Sequence, residues 1–167
     1  GKQAIGWADI AKADLTPQTV AQFWKPDPKN VIQALDQGVK IIMSPATKAY
    51  LDMKYNDSTR IGLTWAATIE LDQGYEWNPS TYLDDVNEDQ ILGMEAALWT
   101  ETVTDMKDLQ YLVFPRITGY GEVSWSKQED RDWSEYRGRL KEHLKRLDLM
   151  EINYYHSPLL EDQEIKK

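Results

Sequence analysis

Cysteine is absent from the chain, so neither a disulfide framework nor a thiolate zinc site is open to it. Histidine is nearly absent. His143 and His156 stand outside any acidic spacing motif, which argues against a histidine metal site and leaves no cofactor implied. No apolar run approaches the roughly 20 residues that a membrane span needs. Lys and Arg number 19 against 28 Asp and Glu, giving a formal charge of −9, and no basic cluster breaks that balance. Nucleic acid and anionic membrane are therefore poor partners, and a neutral ligand fits better. Phenylalanine is scarce too: two Phe stand against seven Trp and nine Tyr. Rings with a polar edge pack on one face and hydrogen-bond along an edge, which suits cores and also sugar or ligand sites.

What is present reads as a single domain of 167 residues with βα character. AIGWADI (4–10) reads as a strand running into a loop, and TVAQFW (19–24) as a second strand. DPKNVIQALDQG follows as a helix, with Asp27 as N-cap, Pro28 just inside the start and Gly38 as the C′ stop. KIIMSP (40–45) is a third strand and ILGMEAALW (91–99) a fourth. Between them, residues 46–90 form a long irregular insertion. It carries Tyr50, Asp52, Trp65, Tyr75, Trp77 and Tyr82, too many aromatics for a disordered linker, and is expected to be an ordered active-site loop.

Beyond Glu101 the pattern becomes helical. Leu109, Leu112 and Val113 share a face over 105–115, where Pro115 is expected to bend or interrupt the segment. From about 130 to 149, Trp133, Tyr136, Leu140, Leu144 and Leu147 recur at helical spacing, with Glu135–Arg139 and Glu142–Arg146 as i,i+4 pairs. Residues 1–160 are expected to form the folded unit and 161–167 a polar tail.

GWADI, QFW, SPATKAYLDMKY, GLTW, GMEAALWTE, FPRITGYGEVSWS, the Trp133 helix and INYY are spread over nearly the whole chain. Each is weak by itself. In this order and spacing they resemble the family 20 β-N-acetylhexosaminidases. The resemblance implies an α/β fold, a (β/α)8 TIM barrel of which this chain holds roughly strands 5–8 and the C-terminal helices. It implies a terminal β-linked N-acetylglucosaminide or N-acetylgalactosaminide glycan as substrate, attacked at the anomeric carbon by its own acetamido oxygen.

By the same resemblance, Trp7, Trp24 and Trp99 match the tryptophans that box the acetamido group. Tyr50 matches the catalytic tyrosine that donates to the acetamido oxygen. Asp52 and Glu101 match carboxylates that accept from the 6- and 4-hydroxyls, and Trp65 a ring at the pocket mouth. The family's adjacent Asp-Glu pair, in an H-x-G-G-D-E-like motif on the fourth strand, has no counterpart in this sequence. The general acid is thus expected outside the chain, in an N-terminal half of the barrel that would be its partner. A half barrel by itself is expected to be inactive, and a dimer through its exposed face is one expected outcome. Two other readings stay open: a non-catalytic amino-sugar-binding module, and a structural half-barrel whose tryptophans are core.

Other acids invite less. Asp84 and Asp85 read as a solvated turn and not as a catalytic pair. Glu95 and Glu122 read as structural partners of arginines such as Arg116, and His143 as a boundary residue of its helix.

Overall fold

A computed structural model describes residues 2–161. Its four strands are β1 (Ile5–Trp7), β2 (Val20–Phe23), β3 (Lys40–Met43) and β4 (Ile91–Met94). They pair in the order β1-β2-β3-β4, parallel throughout. Spatial order that follows chain order is the progression of a (β/α)8 barrel; a doubly wound sheet would reverse direction partway. The sheet is part of such a barrel. The ILGMEAALW run is a strand only over its first four residues, and 95–99 leave the sheet as irregular chain.

Helix α1 (Lys29–Leu35) crosses between β2 and β3 and buries Val31 and Ala34. Each expected helix signal is displaced by one position: Pro28 itself is the N-cap and Asp36 the C-cap, so Asp27 precedes the cap and Gly38 falls at C″. Asp27 Oδ1 accepts from the Lys29 N–H at 3.0 Å, and Gly38 leaves the helix at φ 79°, a conformation that glycine adopts without strain. The long insertion is ordered, as its aromatics implied. It contains helix α2 (Leu71–Tyr75), whose N-terminus Glu70 and Gln73 close as a reciprocal capping box.

Pro115 ends one helix and precedes another. Helix α3 (Met106–Val113) stops before it and α4 (Arg116–Trp125) starts after it. The sequence pattern missed α4, because Gly119 and Gly121 depress its helix propensity and its apolar face is short. Helix α5 (Trp133–Leu149) is capped by Asp132, which accepts from the Glu135 N–H at 2.8 Å, and buries Tyr136, Leu140 and Leu147. Glu135 pairs with Arg139 at 3.8 Å as expected. Glu142 instead pairs with Lys145 at 2.7 Å, one position nearer than Arg146. Of the expected polar tail, Glu161 is exposed and 162–167 lie outside the described residues.

Phe23, Ile41 and Met43 of the sheet pack with Tyr75, Trp77, Tyr136 and Leu140 in the main core. A second, smaller core of Ala46, Tyr50, Met53 and Ile69 lies beyond the strand ends, with Trp24 and Ala97 against it. The two edge strands remain open. Ile5 on β1 is 59% exposed and Leu92 on β4 is 53% exposed, and a groove of about 650 Å³ runs along β4 to the almost fully exposed Trp125.

Candidate functional site

Parallel strands all finish at one edge of their sheet, so the residues that follow them converge from distant parts of the chain. Trp7 is the last residue of β1 and Trp24 directly follows β2. Tyr50 and Trp65 come from the insertion after β3, and Trp99 from the irregular chain after β4. Trp7 meets Trp24 at 6.2 Å between ring centroids and Trp99 at 5.7 Å. Trp24 meets Trp65 at 6.3 Å, and Tyr50 closes the circuit by touching Trp65 at 6.1 Å and Trp99 at 6.2 Å. All five rings fall within the range of edge-on and tilted aromatic contacts. Tyr50 is buried at the base, whereas Trp65 is 53% and Trp99 41% exposed. The circuit is the wall of an open cup.

Trp24 is held at its edge. Its indole N–H donates to Asp9 Oδ2 at 3.2 Å, while Lys25 Nζ lies 4.6 Å from the ring centroid. Asp9 also accepts from Lys25 at 3.3 Å and from Asn30 at 3.1 Å. The Trp24 hydrogen bond is the largest influence holding the Asp9 carboxyl below its ordinary range; burial opposes it and Lys25 assists. Sequence reasoning named Trp7 in GWADI but passed over Asp9 two residues later.

Burial pushes the Tyr50 phenol up to about 12, with the nearby Asp52 and Glu95 charges adding to the rise and the Trp99 side chain opposing it. At neutral pH Tyr50 is therefore a hydroxyl donor. Asp52 is 1% exposed, and neither of its carboxylate oxygens has a hydrogen-bond partner among the described residues. Burial drives its carboxyl up to about 6 and Glu101 adds to this; its own and Trp99's backbone N–H groups oppose the rise without reaching hydrogen-bond geometry, as does Arg116. Glu101 itself is exposed at the rim. A buried carboxylate without donors is costly, and a hydroxyl-bearing ligand would relieve that cost.

Backbone contacts set the position of this segment. Leu51 N–H donates to Ala97 O at 2.7 Å, tying the insertion to the chain that carries Trp99. Leu63 N–H donates to Asp52 O and Lys54 N–H to Leu63 O, both at 2.8 Å. Between them Gly62 sits at φ 105°, and a Cβ there would lie 2.9 Å from the Lys54 nitrogen. Only glycine lets these two segments approach so closely.

The remaining acids play other parts. Asp84 and Asp85 are exposed in their turn, as expected. Glu95 and Glu122 do not pair with Arg116. Glu95 accepts from Gln22 of β2 at 2.8 Å, and Glu122 binds Arg139 at 2.7 Å and the Tyr75 hydroxyl at 2.6 Å. Arg116 is instead buried against backbone carbonyls. His143 is half-buried on α5. Among the described residues, no group of three or more His, Asp or Glu side chains is placed to hold a metal ion. The groove along β4 is lined by Leu92, Met94 and Trp125 and by none of the five rings; it marks an unpaired strand edge and carries none of this chemistry.

The sequence profile of glycosyl hydrolase family 20, catalytic domain, matches residues 1–128. A beta-N-acetylhexosaminidase of Cellulomonas fimi is 41% identical over 160 residues, which cover 95% of this chain and 32% of that protein. A beta-hexosaminidase of Porphyromonas gingivalis is 30% identical over 96% of this chain and 21% of its own length. The Streptomyces plicatus N-acetyl-beta-hexosaminidase solved in complex with thio-NAglucal superposes with a TM-score of 0.90 at 37% identity, over 95% of this chain and 33% of that one. A mutant of the plicatus enzyme solved with its product GlcNAc gives a TM-score of 0.87 at 37% identity, over 92% and 32%. The chain thus spans about a third of the length of the Cellulomonas and Streptomyces relatives.

Proposed function

The chain belongs to glycosyl hydrolase family 20, and from that premise we propose that it supplies the amino-sugar-binding half of a retaining β-N-acetylhexosaminidase. Its substrate is a glycan ending in β-linked N-acetylglucosamine or N-acetylgalactosamine. Residues 1–160 act as one half-barrel unit, and the general acid comes from the other strands of the barrel, which also cover the two open sheet edges. The GlcNAc and thio-NAglucal bound by the Streptomyces plicatus relative support this substrate class.

In this reading Trp7, Trp24 and Trp99 enclose the 2-acetamido group and hold it bent beneath the sugar ring. Its carbonyl oxygen then stands in near-attack position on the anomeric carbon, which is what lets it replace a protein nucleophile. The oxygen lone pair forms the new bond to the anomeric carbon as the glycosidic bond breaks. The departing oxygen takes its proton from the external general acid, and water later opens the oxazolinium ring with net retention. The Tyr50 hydroxyl donates to the carbonyl oxygen, fixing the reacting lone pair and the geometry of the closing ring. Asp52 accepts from the 6-hydroxyl, Glu101 from the 4-hydroxyl, and Trp65 flanks the mouth.

The observation that carries this reading is the five-ring circuit closed by Tyr50 over the unpartnered, buried Asp52 carboxylate. Stacking faces, one fixed donor and one empty acceptor suit a neutral polyhydroxylated ligand. The test is turnover by the native gene product that contains residues 1–167, comparing a chromogenic N-acetyl-β-glucosaminide with the β-glucoside that lacks the acetamide. A preference of roughly 10³ or more for the former is expected, since the acetamide is the nucleophile. Comparable turnover of both, or of neither, would sink the proposal.

A further inference from the structure

Arg116, the first residue of α4, is 2% exposed, yet its partners are backbone carbonyls. Nη2 donates to Leu51 O at 2.6 Å, to Met53 O at 3.0 Å and to Leu112 O at 3.3 Å, while Nη1 donates to Ile69 O at 2.7 Å. The guanidinium carbon lies 4.1 Å from the Tyr55 ring centroid, and Tyr155 is stacked on Tyr55 at 4.0 Å. Leu51 and Met53 are the two residues that flank Asp52, and Leu51 follows Tyr50. One planar fork therefore fixes the peptide groups on both sides of the empty carboxylate, while Leu63 holds the Asp52 carbonyl.

We infer that Arg116 is a positioning residue of this site, setting the aim of Asp52 and Tyr50 through the Leu51–Met53 backbone and supplying the positive charge that keeps Asp52 available as an acceptor. The inference rests on the amino-sugar reading for its link to turnover. Neutral donors would satisfy the same carbonyls. What arginine adds is a buried charge, and burying a charge is expensive unless something uses it. The charged and titratable groups that act on Asp52 are Glu101, which favours its protonated form, and Arg116, which favours the ionised one; Tyr50 stands beside them as a neutral donor.

The experiment compares Arg116→Lys and Arg116→Gln in the native gene product, by pH-resolved kinetics and by the NMR titration of the Asp52 side-chain carboxyl. Lysine keeps the charge and loses the fork. Its kcat on an N-acetyl-β-glucosaminide should fall roughly 10–100-fold, the scale of a misplaced catalytic segment, with the acid limb of the profile near that of the parent. Glutamine loses both. Its Asp52 titration and acid limb should move upward, a shift that a purely structural clamp would not produce. A folded glutamine variant with an unmoved Asp52 titration overturns the inference, and so does a lysine variant with unchanged kcat. If glutamine prevents folding, the lysine variant decides. Should the parent show no turnover, the amino-sugar reading fails, while the Asp52 titration still judges Arg116.

Discussion

Tyr50 and Asp52, two residues apart in one buried segment, make opposite demands on a ligand. Tyr50 stays protonated far above neutrality and keeps a proton to donate at working pH; Asp52 has two acceptor oxygens and nothing to accept from among the described residues. A site with one fixed donor and one unfilled acceptor discriminates by leaving wrong ligands with unpaired groups. Tyr50→Phe removes the donor while the ring contacts to Trp65 and Trp99 remain. Folding should survive. Turnover of N-acetylhexosaminides should fall about 10²–10³-fold, equivalent to ~2.7–4 kcal/mol, and the loss should lie in kcat more than in KM. Near-normal kcat in this variant would take Tyr50 out of the mechanism.

Asp52 makes the site pH-sensitive in a definite direction. Its carboxyl titrates at about 6 in the folded chain against 3.8 in the unfolded one. The folded state therefore loses stability as pH rises from below 4 through 6, as the group ionises without a partner. Asp52→Asn should leave stability unchanged near pH 4 and raise it at pH 7, by on the order of 2 kcal/mol. Ligand binding should run the other way, because a hydroxyl donor favours the ionised carboxylate. GlcNAc affinity should weaken below about pH 6, and binding at pH 6 should release protons in calorimetry across buffers of differing ionisation enthalpy. Asp52→Asn should abolish the proton release. Release that persists in the variant would assign it to another group.

The Asp9–Trp24 bond offers a test of what orients the cup. Asp9 is half-buried and accepts from Trp24, Lys25 and Asn30, so Asp9→Ala should lower the thermal midpoint modestly. It frees the Trp24 indole, and GlcNAc binding should weaken by roughly 1.5–3 kcal/mol if that charge-assisted bond sets the ring's angle. Unchanged affinity would show that ring packing alone suffices.

How far the sequence foretold this arrangement depends on the range of the interactions. The four strands, the span of α1 and the α5 stripe are local patterns, and they were legible because period acts over a few residues. The aromatic cup was legible only through the ordered resemblance of its segments. No spacing rule relates Trp7 to Trp99. What stayed hidden were contacts settled by tertiary approach: α4 behind its glycines, Asp9 on the indole of Trp24, and Arg116. Charge complementarity suggested Arg116 would bind Glu95 or Glu122. Burial beneath the Tyr50–Asp52 segment gave it carbonyls instead, while Arg139 reached Glu122 from α5.

The open edges carry their own forecast. Ile5 on β1 and Leu92 on β4 expose apolar surface along the outer strands, with Trp125 at the end of α4 adding to it, and barrel closure normally hides such edges. Residues 1–167 produced alone should be aggregated, dimeric through this surface, or molten. Sedimentation and a thermal melt check this. A monodisperse monomer with a cooperative transition would contradict it and favour a self-contained module.

Trp99 separates sugar binding from core packing most sharply. A tryptophan that serves as core loses about 3–5 kcal/mol of stability on truncation to alanine. Trp99 is 41% exposed and its ring contacts are Trp7 and Tyr50, so much of its surface never left water. Trp99→Ala should therefore cost well under that range. Its effect should fall on the ligand: with one wall of the cup gone, the acetamido group loses its tight placement. Binding of inhibitors that mimic the bent oxazoline should weaken by roughly 2 kcal/mol or more, the scale of one large aromatic contact. The paired measurement is thermal midpoint and inhibitor Kd on the same purified variant of the native gene product. A large fall in midpoint with unchanged Kd would move Trp99 from the site to the core. Because Trp7 lies against Trp99 and Trp24 against Trp7, that outcome would undo the assignment of all three walls together.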